Sequence, residues 1–130
     1  MVLMIDDDDD ALEIYGMLVG KTAQANHFVT KNTGRAGLAF LQACNTKEAG
    51  PFPRYILVDL NMPGIDGLEF IEKYEEAFYP QHPETEIFIL TSSVRRKDNE
   101  EALSYASAKK FITKPLSKEK LLSLIADSAS

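Results

Sequence analysis

The chain opens on four consecutive apolar residues, Val2 to Ile5, which break off at five aspartates, Asp6 to Asp10. An apolar run this short predicts a buried strand. From Asp8 to Lys21 the period changes, and Leu12, Tyr15, Leu18 and Val19 fall on one face of a helix. His27 to Gly34 reads as a second strand ending in turn residues, and Arg35 to Cys44, with Leu38 and Leu41, as a second helix. The stretch NTKEAGPFP then carries the glycine and proline punctuation of a loop. Arg54 to Leu60 is apolar almost throughout, as a strand covered on both faces should read. After the tight turn NMPGIDG comes a third helix with Leu68, Ile71, Tyr74 and Phe78 on one side, broken by YPQHPET. Glu86 to Ser93 gives a fourth strand. Asp98 to Ser107 gives a fourth helix with Ala102, Tyr105 and Ala106 inward, and Lys109 to Pro115 a fifth strand. Ser117, a favourable N-cap, starts a last helix whose buried face is Leu121, Leu122 and Ile125.

Strands and helices alternate five times, which means a parallel sheet with helices on both faces. The right-handed crossover rule leaves few topologies. The expectation is an α/β fold: a flavodoxin-like, doubly wound, five-stranded parallel sheet in the order 2-1-3-4-5 with five helices, one domain over residues 1–130. A net charge of −6 argues against a nucleic-acid footprint, which needs a basic face, and suits a site that binds a cation. No apolar stretch approaches the ~20 residues of a membrane span and no signal peptide precedes the first strand, so neither membrane nor export is expected. Cys44 is the single cysteine; it excludes an internal disulfide, suits the cytoplasm, and reads as a small buried residue. His27 and His82 show no ligand spacing and read as surface residues, and Arg95 to Lys97 as a solvated helix start.

In a sheet of this order, ligands bind outside the carboxyl ends of the strands, where the strand order reverses. Strand 1 ends in Asp6 and Asp7, strand 3 in Asp59, strand 4 in Thr91 and strand 5 in Lys114. These strands are contiguous, so side chains scattered through the chain meet on one rim. Three carboxylates at one point make a hard oxygen site of the kind that holds Mg²⁺. A lysine and a threonine beside them suit the oxygens of a phosphoryl group. Asp59, on the middle strand, is the natural nucleophile for an aspartyl phosphate. Asp9 and Asp10 favour the positive end of the first helix, and Asp8 stands between the two roles. Pro63 and Gly64 shape a turn, Asp66 can cap the following helix, and Gly67 marks a small-residue or conformational requirement there.

The segments VLMIDDD, YILVDLNMPGIDG, FILTSS and KKFITKP closely resemble the receiver domains of two-component response regulators, from Val2 to about Asp127. The resemblance implies that Asp59 accepts a phosphoryl group from a histidine kinase or a histidine phosphotransfer protein. It implies Mg²⁺ held by Asp7 and Asp59 directly, by Asp6 largely through water, and by the main-chain carbonyl of Asn61. It further implies that Thr91 and Lys114 contact the phosphoryl oxygens and that Thr91 and Phe111 form the switch. Phe111 stands where the family carries Tyr or Phe, so it supplies bulk without a hydroxyl; Asn61 and Ser93 occupy positions that influence the lifetime of the phosphate. The family usually has a cis peptide before the proline that is Pro115 here. Such a module catalyses its own phosphorylation and dephosphorylation and changes a protein-binding surface formed by the fourth helix, fifth strand and last helix, acting on a downstream protein as a monomer or weak homodimer. Three alternatives compete with it. One is a haloacid-dehalogenase-like phosphatase using Asp6 and Asp8, against which Asp10 stands where such enzymes carry Thr or Val. Another is a degenerate receiver that takes no phosphate. The third is a flavin-phosphate binder, which five aspartates after strand 1 would repel.

Overall fold

The computed structural model describes residues 1–92, 100 and 102–129. Its elements are β1 (Val2–Ile5), α1 (Asp9–Gly20), a 3₁₀ turn (Ala25–His27), β2 (Phe28–Lys31), α2 (Gly34–Asn45), β3 (Tyr55–Asp59), α3 (Gly67–Ala77), β4 (Glu86–Thr91), β5 (Ala108–Thr113) and α4 (Lys118–Ala129). All four strand pairings are parallel, in the order β2-β1-β3-β4-β5. The expected topology is therefore the observed one. Register fixes which strand ends lie side by side: Ile5 pairs with Val58, Asp59 with Leu90, and Thr91 with Thr113.

β1 and β3 are buried along their whole length, because each has a neighbour on both edges and helices over both faces. Alternate strand residues serve two separate cores. Leu3, Ile5, Ile56 and Val58 pack with Leu41 of α2 and Phe70 and Ile71 of α3. Val2, Met4 and Leu57 pack with Leu12 and Val19 of α1 and Leu121 and Ile125 of α4. Each of the four helices α1 to α4 starts on a side-chain cap formed three residues back. Asp8 accepts from the Ala11 N–H (3.1 Å), Thr33 from Ala36 (3.0 Å), Asp66 from Glu69 (2.9 Å) and Ser117 from Lys120 (3.1 Å).

Three expectations need correction. Four α-helices are seen among the described residues where five were expected. The helix placed over Asp98 to Ser107 falls largely on residues 93–99 and 101, outside the described residues, as do Ser93 and Arg95 to Lys97. Its described part is helical at Glu100, Ala102 and Leu103, and the chain then turns through Tyr105 N–H to Ala102 O and Ala108 N–H to Tyr105 O. Helical spacing no longer assigns faces there, so Ala106 is exposed and Ser107 buried, the reverse of the periodic reading for Ala106.

The third correction is His82, read as a surface residue. Its ring lies flat on Phe52, with centroids 3.6 Å apart and planes 1° from parallel, and Nε2 is 2.9 Å from Asn45 Oδ1. Phe52 in turn packs on Phe78 at 5.8 Å. The two loops before β3 and β4 are thus fastened to each other at the amino ends of the strands. Cys44 is buried as expected, and burial pushes its thiol pKa up, which keeps it unreactive. Among the described residues no helix is long and apolar enough to cross a membrane.

Candidate functional site

The carboxyl ends of β1, β3, β4 and β5 bring the predicted residues together. Asp6 follows β1 directly, its N–H bonded to Lys31 O at 3.1 Å, and its side chain is almost wholly buried (1% exposed). Oδ1 accepts the Asp8 N–H at 3.0 Å, while Oδ2 lies 2.8 Å from Lys114 Nζ. At that distance the ammonium and the buried carboxylate form a close ion pair. Asp59 ends β3 and is also buried; Oδ1 accepts the Asn61 N–H at 3.1 Å, and Oδ2 accepts from Lys114 Nζ at 3.0 Å. Asp7 is exposed, and one of its carboxylate oxygens lies within 4.8 Å of one each from Asp6 and Asp59. One ammonium therefore bridges two buried carboxylates while a third carboxylate leans over them from the solvent side.

Burial pushes the Asp59 carboxyl above its ordinary pKa; the Lys114 ammonium and the Asn61 N–H pull it back, and the nearby Asp6 charge raises it further. For Lys114, burial acts to lower the pKa, but Asp6 and Asp59 outweigh it and hold the amine charged. Two anions and one cation in a half-dry site leave a deficit of positive charge. Three carboxylates with an open solvent side fit a hard divalent cation, which takes oxygen ligands and keeps several waters. The donor set fits such an ion on its chemistry.

The remaining predicted residues sit around this centre. Thr91 is the last residue of β4, buried, and its carbonyl accepts the Lys114 N–H at 2.9 Å. Phe111 lies two residues before the end of β5, half-buried against the core and paired in register with Ile89. Asn61 is exposed, and its N–H to Asp59 is the contact the structure gives it. The Lys114–Pro115 peptide is cis, and Gly64 takes φ +74° in the turn after β3. Asp8 is spent as the cap of α1, which removes it from the reacting centre and leaves the phosphatase alternative unfavoured. Asp9 and Asp10 lie in the first turn of α1 as expected, Asp9 accepting from Asn32 Nδ2 at 3.1 Å.

Two features escaped the sequence reading. A Cβ at Gly67 would lie 2.7 Å from both Asp59 O and Leu60 Cα, so the start of α3 presses on the backbone that carries Asp59. The sequence marks the glycine but not what it touches. Tyr15, read only as a core-facing residue of the first helix, donates its hydroxyl to Leu116 O at 3.0 Å across 101 residues. No local signal could reveal a partner that distant.

Residues 2–126 match the family model described as the response regulator receiver domain. The chain is 31% identical over 98 residues to response regulator Rcp1 of Synechocystis, covering 75% of this chain and 65% of that protein. It is 31% identical over 120 residues to the probable C4-dicarboxylate response regulator DctR of Halalkalibacterium halodurans, covering 92% of this chain and 47% of that protein. It thus spans between about half and two thirds of these relatives' lengths. Among solved structures, a two-component response regulator from Cytophaga hutchinsonii superposes with a TM-score of 0.79 at 28% identity, over 98% of this chain and 95% of that one. A Mn²⁺-bound form of Rcp1 superposes at 0.69 and 22% identity, over 96% of this chain and 88% of that one.

Proposed function

The chain is a response regulator receiver domain of two-component signalling, and from that premise we propose that Asp59 is its phosphoacceptor. The observation that carries the reading is Lys114 Nζ, 3.0 Å from Asp59 Oδ2 and 2.8 Å from Asp6 Oδ2. The donor is a phosphohistidine on a histidine kinase or histidine phosphotransfer protein. An Asp59 carboxylate oxygen forms the new bond to phosphorus as the phosphorus–nitrogen bond breaks, and the electron pair leaves on the imidazole nitrogen. Asp6, Asp7 and Asp59, with the Asn61 carbonyl, hold Mg²⁺. When bound, the ion offsets the repulsion between the carboxylate and the incoming phosphoryl oxygens.

Lys114, already paired with Asp59 Oδ2, has its ammonium where a phosphoryl oxygen on that carboxylate needs a counter-charge. The Thr91 hydroxyl serves another oxygen, and Phe111 on the adjacent strand follows its movement, which changes the surface offered to a downstream protein. The domain works in the cytoplasm as a monomer or weak homodimer. The complete set of acids and lysine argues against a degenerate receiver.

Intact mass after incubation with Mg²⁺ and acetyl phosphate tests the reading. One Mg²⁺-dependent phosphoryl adduct on the wild type, absent in Asp59→Asn, is the expected result. No adduct together with no beryllofluoride binding would overturn it.

A further inference from the structure

The side chain that bridges the two buried carboxylates hangs on a short connection, Lys114-Pro115-Leu116-Ser117, between β5 and α4. Its backbone is fastened at few points. Lys114 N–H bonds Thr91 O at 2.9 Å, and Pro115 has no N–H to offer. Ser117 Oγ and O are engaged with α4 itself, accepting from the Lys120 and Leu121 N–H groups. On the far side of Pro115 the Leu116 side chain is buried in the core with Leu12 and Leu121, and its carbonyl accepts from the Tyr15 hydroxyl, which reaches from the middle of α1 at 3.0 Å. Burial raises the phenol's pKa, so the hydroxyl keeps its proton and remains a donor.

A cavity of about 360 Å³ lies beside this bond, lined by Asp6, Tyr15, Lys114, Pro115 and Leu116 among others. A long lysine side chain keeps Nζ within 3.0 Å of two fixed carboxylates only if its Cα is held. Thr91 holds that backbone from the sheet side, and Tyr15 holds it from the helix side.

We propose that Tyr15 is a positioning residue for phosphoryl transfer: its hydroxyl bond to Leu116 O sets the reach of Lys114 to Asp59 and Asp6. The inference rests on the phosphoacceptor reading of Asp59. Tyr15 touches no reacting atom; it acts through the loop. Losing one hydrogen bond to a part-buried carbonyl shifts an equilibrium by roughly 3- to 10-fold, so the effect is graded.

Tyr15→Phe keeps the ring in its packing and deletes the donor. Two readouts are compared with wild type, at a urea concentration where both are folded. The first is the NMR signal of the Lys114 side chain in Mg²⁺-free protein, assigned with Lys114→Arg. The second is the rate of adduct formation at saturating acetyl phosphate, measured across a Mg²⁺ titration. The expected result is a Lys114 signal displaced toward that of solvent-exposed lysines and a rate lower by roughly 3- to 10-fold, with a Mg²⁺ half-saturation point that does not rise. A general loosening of the rim would weaken Mg²⁺ binding in step with the rate, and that outcome overturns the proposal. An unchanged Lys114 signal overturns it too. If the wild type takes up no phosphoryl group at all, the failure belongs to the phosphoacceptor reading, and the Lys114 signal alone decides the inference.

Discussion

Asp59 sits where the fold works against its own charge. Burial and the neighbouring Asp6 disfavour its ionised form by more than Lys114 and the Asn61 N–H restore. Asp59→Asn should therefore stabilise the metal-free protein by about 1 kcal/mol, because it removes a buried charge and leaves Lys114 paired with Asp6. Mg²⁺ should reverse the order: at 100 times its dissociation constant it adds about 2.7 kcal/mol to the wild type and far less to the variant. Urea midpoints in EDTA and in Mg²⁺ check both halves; a wild type more stable than Asp59→Asn in EDTA would contradict the first. Gly67 is the second sensitive position. Its missing Cβ would meet backbone atoms at 2.7 Å, and backbone gives way only by moving Asp59 and Leu60. Gly67→Ala should cost about 1–3 kcal/mol and slow phosphorylation. Gly16→Ala, on an α1 face with nothing within 4 Å, should instead stabilise by about 0.5–1 kcal/mol. The aspartates and the lysine were legible because strand ends are legible; the backbone beneath Gly67 was not, because a glycine announces a need for space without saying what occupies it.

Helix starts are local events, and the sequence marks two of the four caps, while Asp8 stands between two roles there and Thr33 goes unmarked. The caps at Asp66 and Ser117 each lie three residues before the N–H they satisfy, so a short window contains the whole interaction. The loops before β3 and β4 are different. Phe52 and His82 lie on separate connections, and the stack between them forms only when α2, α3 and the sheet have brought those connections together. Arg54 adds a bond from its guanidinium to the Glu84 carbonyl, in the same region. His82→Ala should lower stability by about 1–2 kcal/mol, through the lost stack and the lost bond to Asn45. Phosphorylation of Asp59 should be unaffected, since the clasp sits at the opposite ends of the strands. A urea midpoint unchanged from wild type would show that the clasp contributes nothing to folding. The turn at Ser104 to Ser107 teaches a related lesson: helical spacing assigned Ala106 inward, and the assignment failed where the helix stopped.

The sheet has two unlike ends. One gathers the buried carboxylates and Lys114, and the other is closed by aromatic packing around Phe52 and His82. Phosphorylation adds about −1.5 to −2 charge at the first end. Its influence should run along β4 and β5, where Thr91 and Phe111 lie, and fade toward the second. Amide NMR spectra with and without phosphorylation should show large shifts at Thr91, Phe111 and Lys114 and small ones at Phe52 and His82. Unmoved β5 signals would contradict the proposed switch. The strict alternation of strands and helices, read with the handedness of parallel crossovers, was enough to order the sheet and so to bring Asp6, Asp7, Asp59, Thr91 and Lys114 to one rim. That much follows from periodicity, which is a local property of the chain. The bridge made by one lysine between two carboxylates, the Tyr15 bond to Leu116, the Gly67 contact under Asp59 and the Phe52–His82 stack depend on distances between segments far apart in the chain. Packing sets those distances to fractions of an ångström, and no periodicity encodes them.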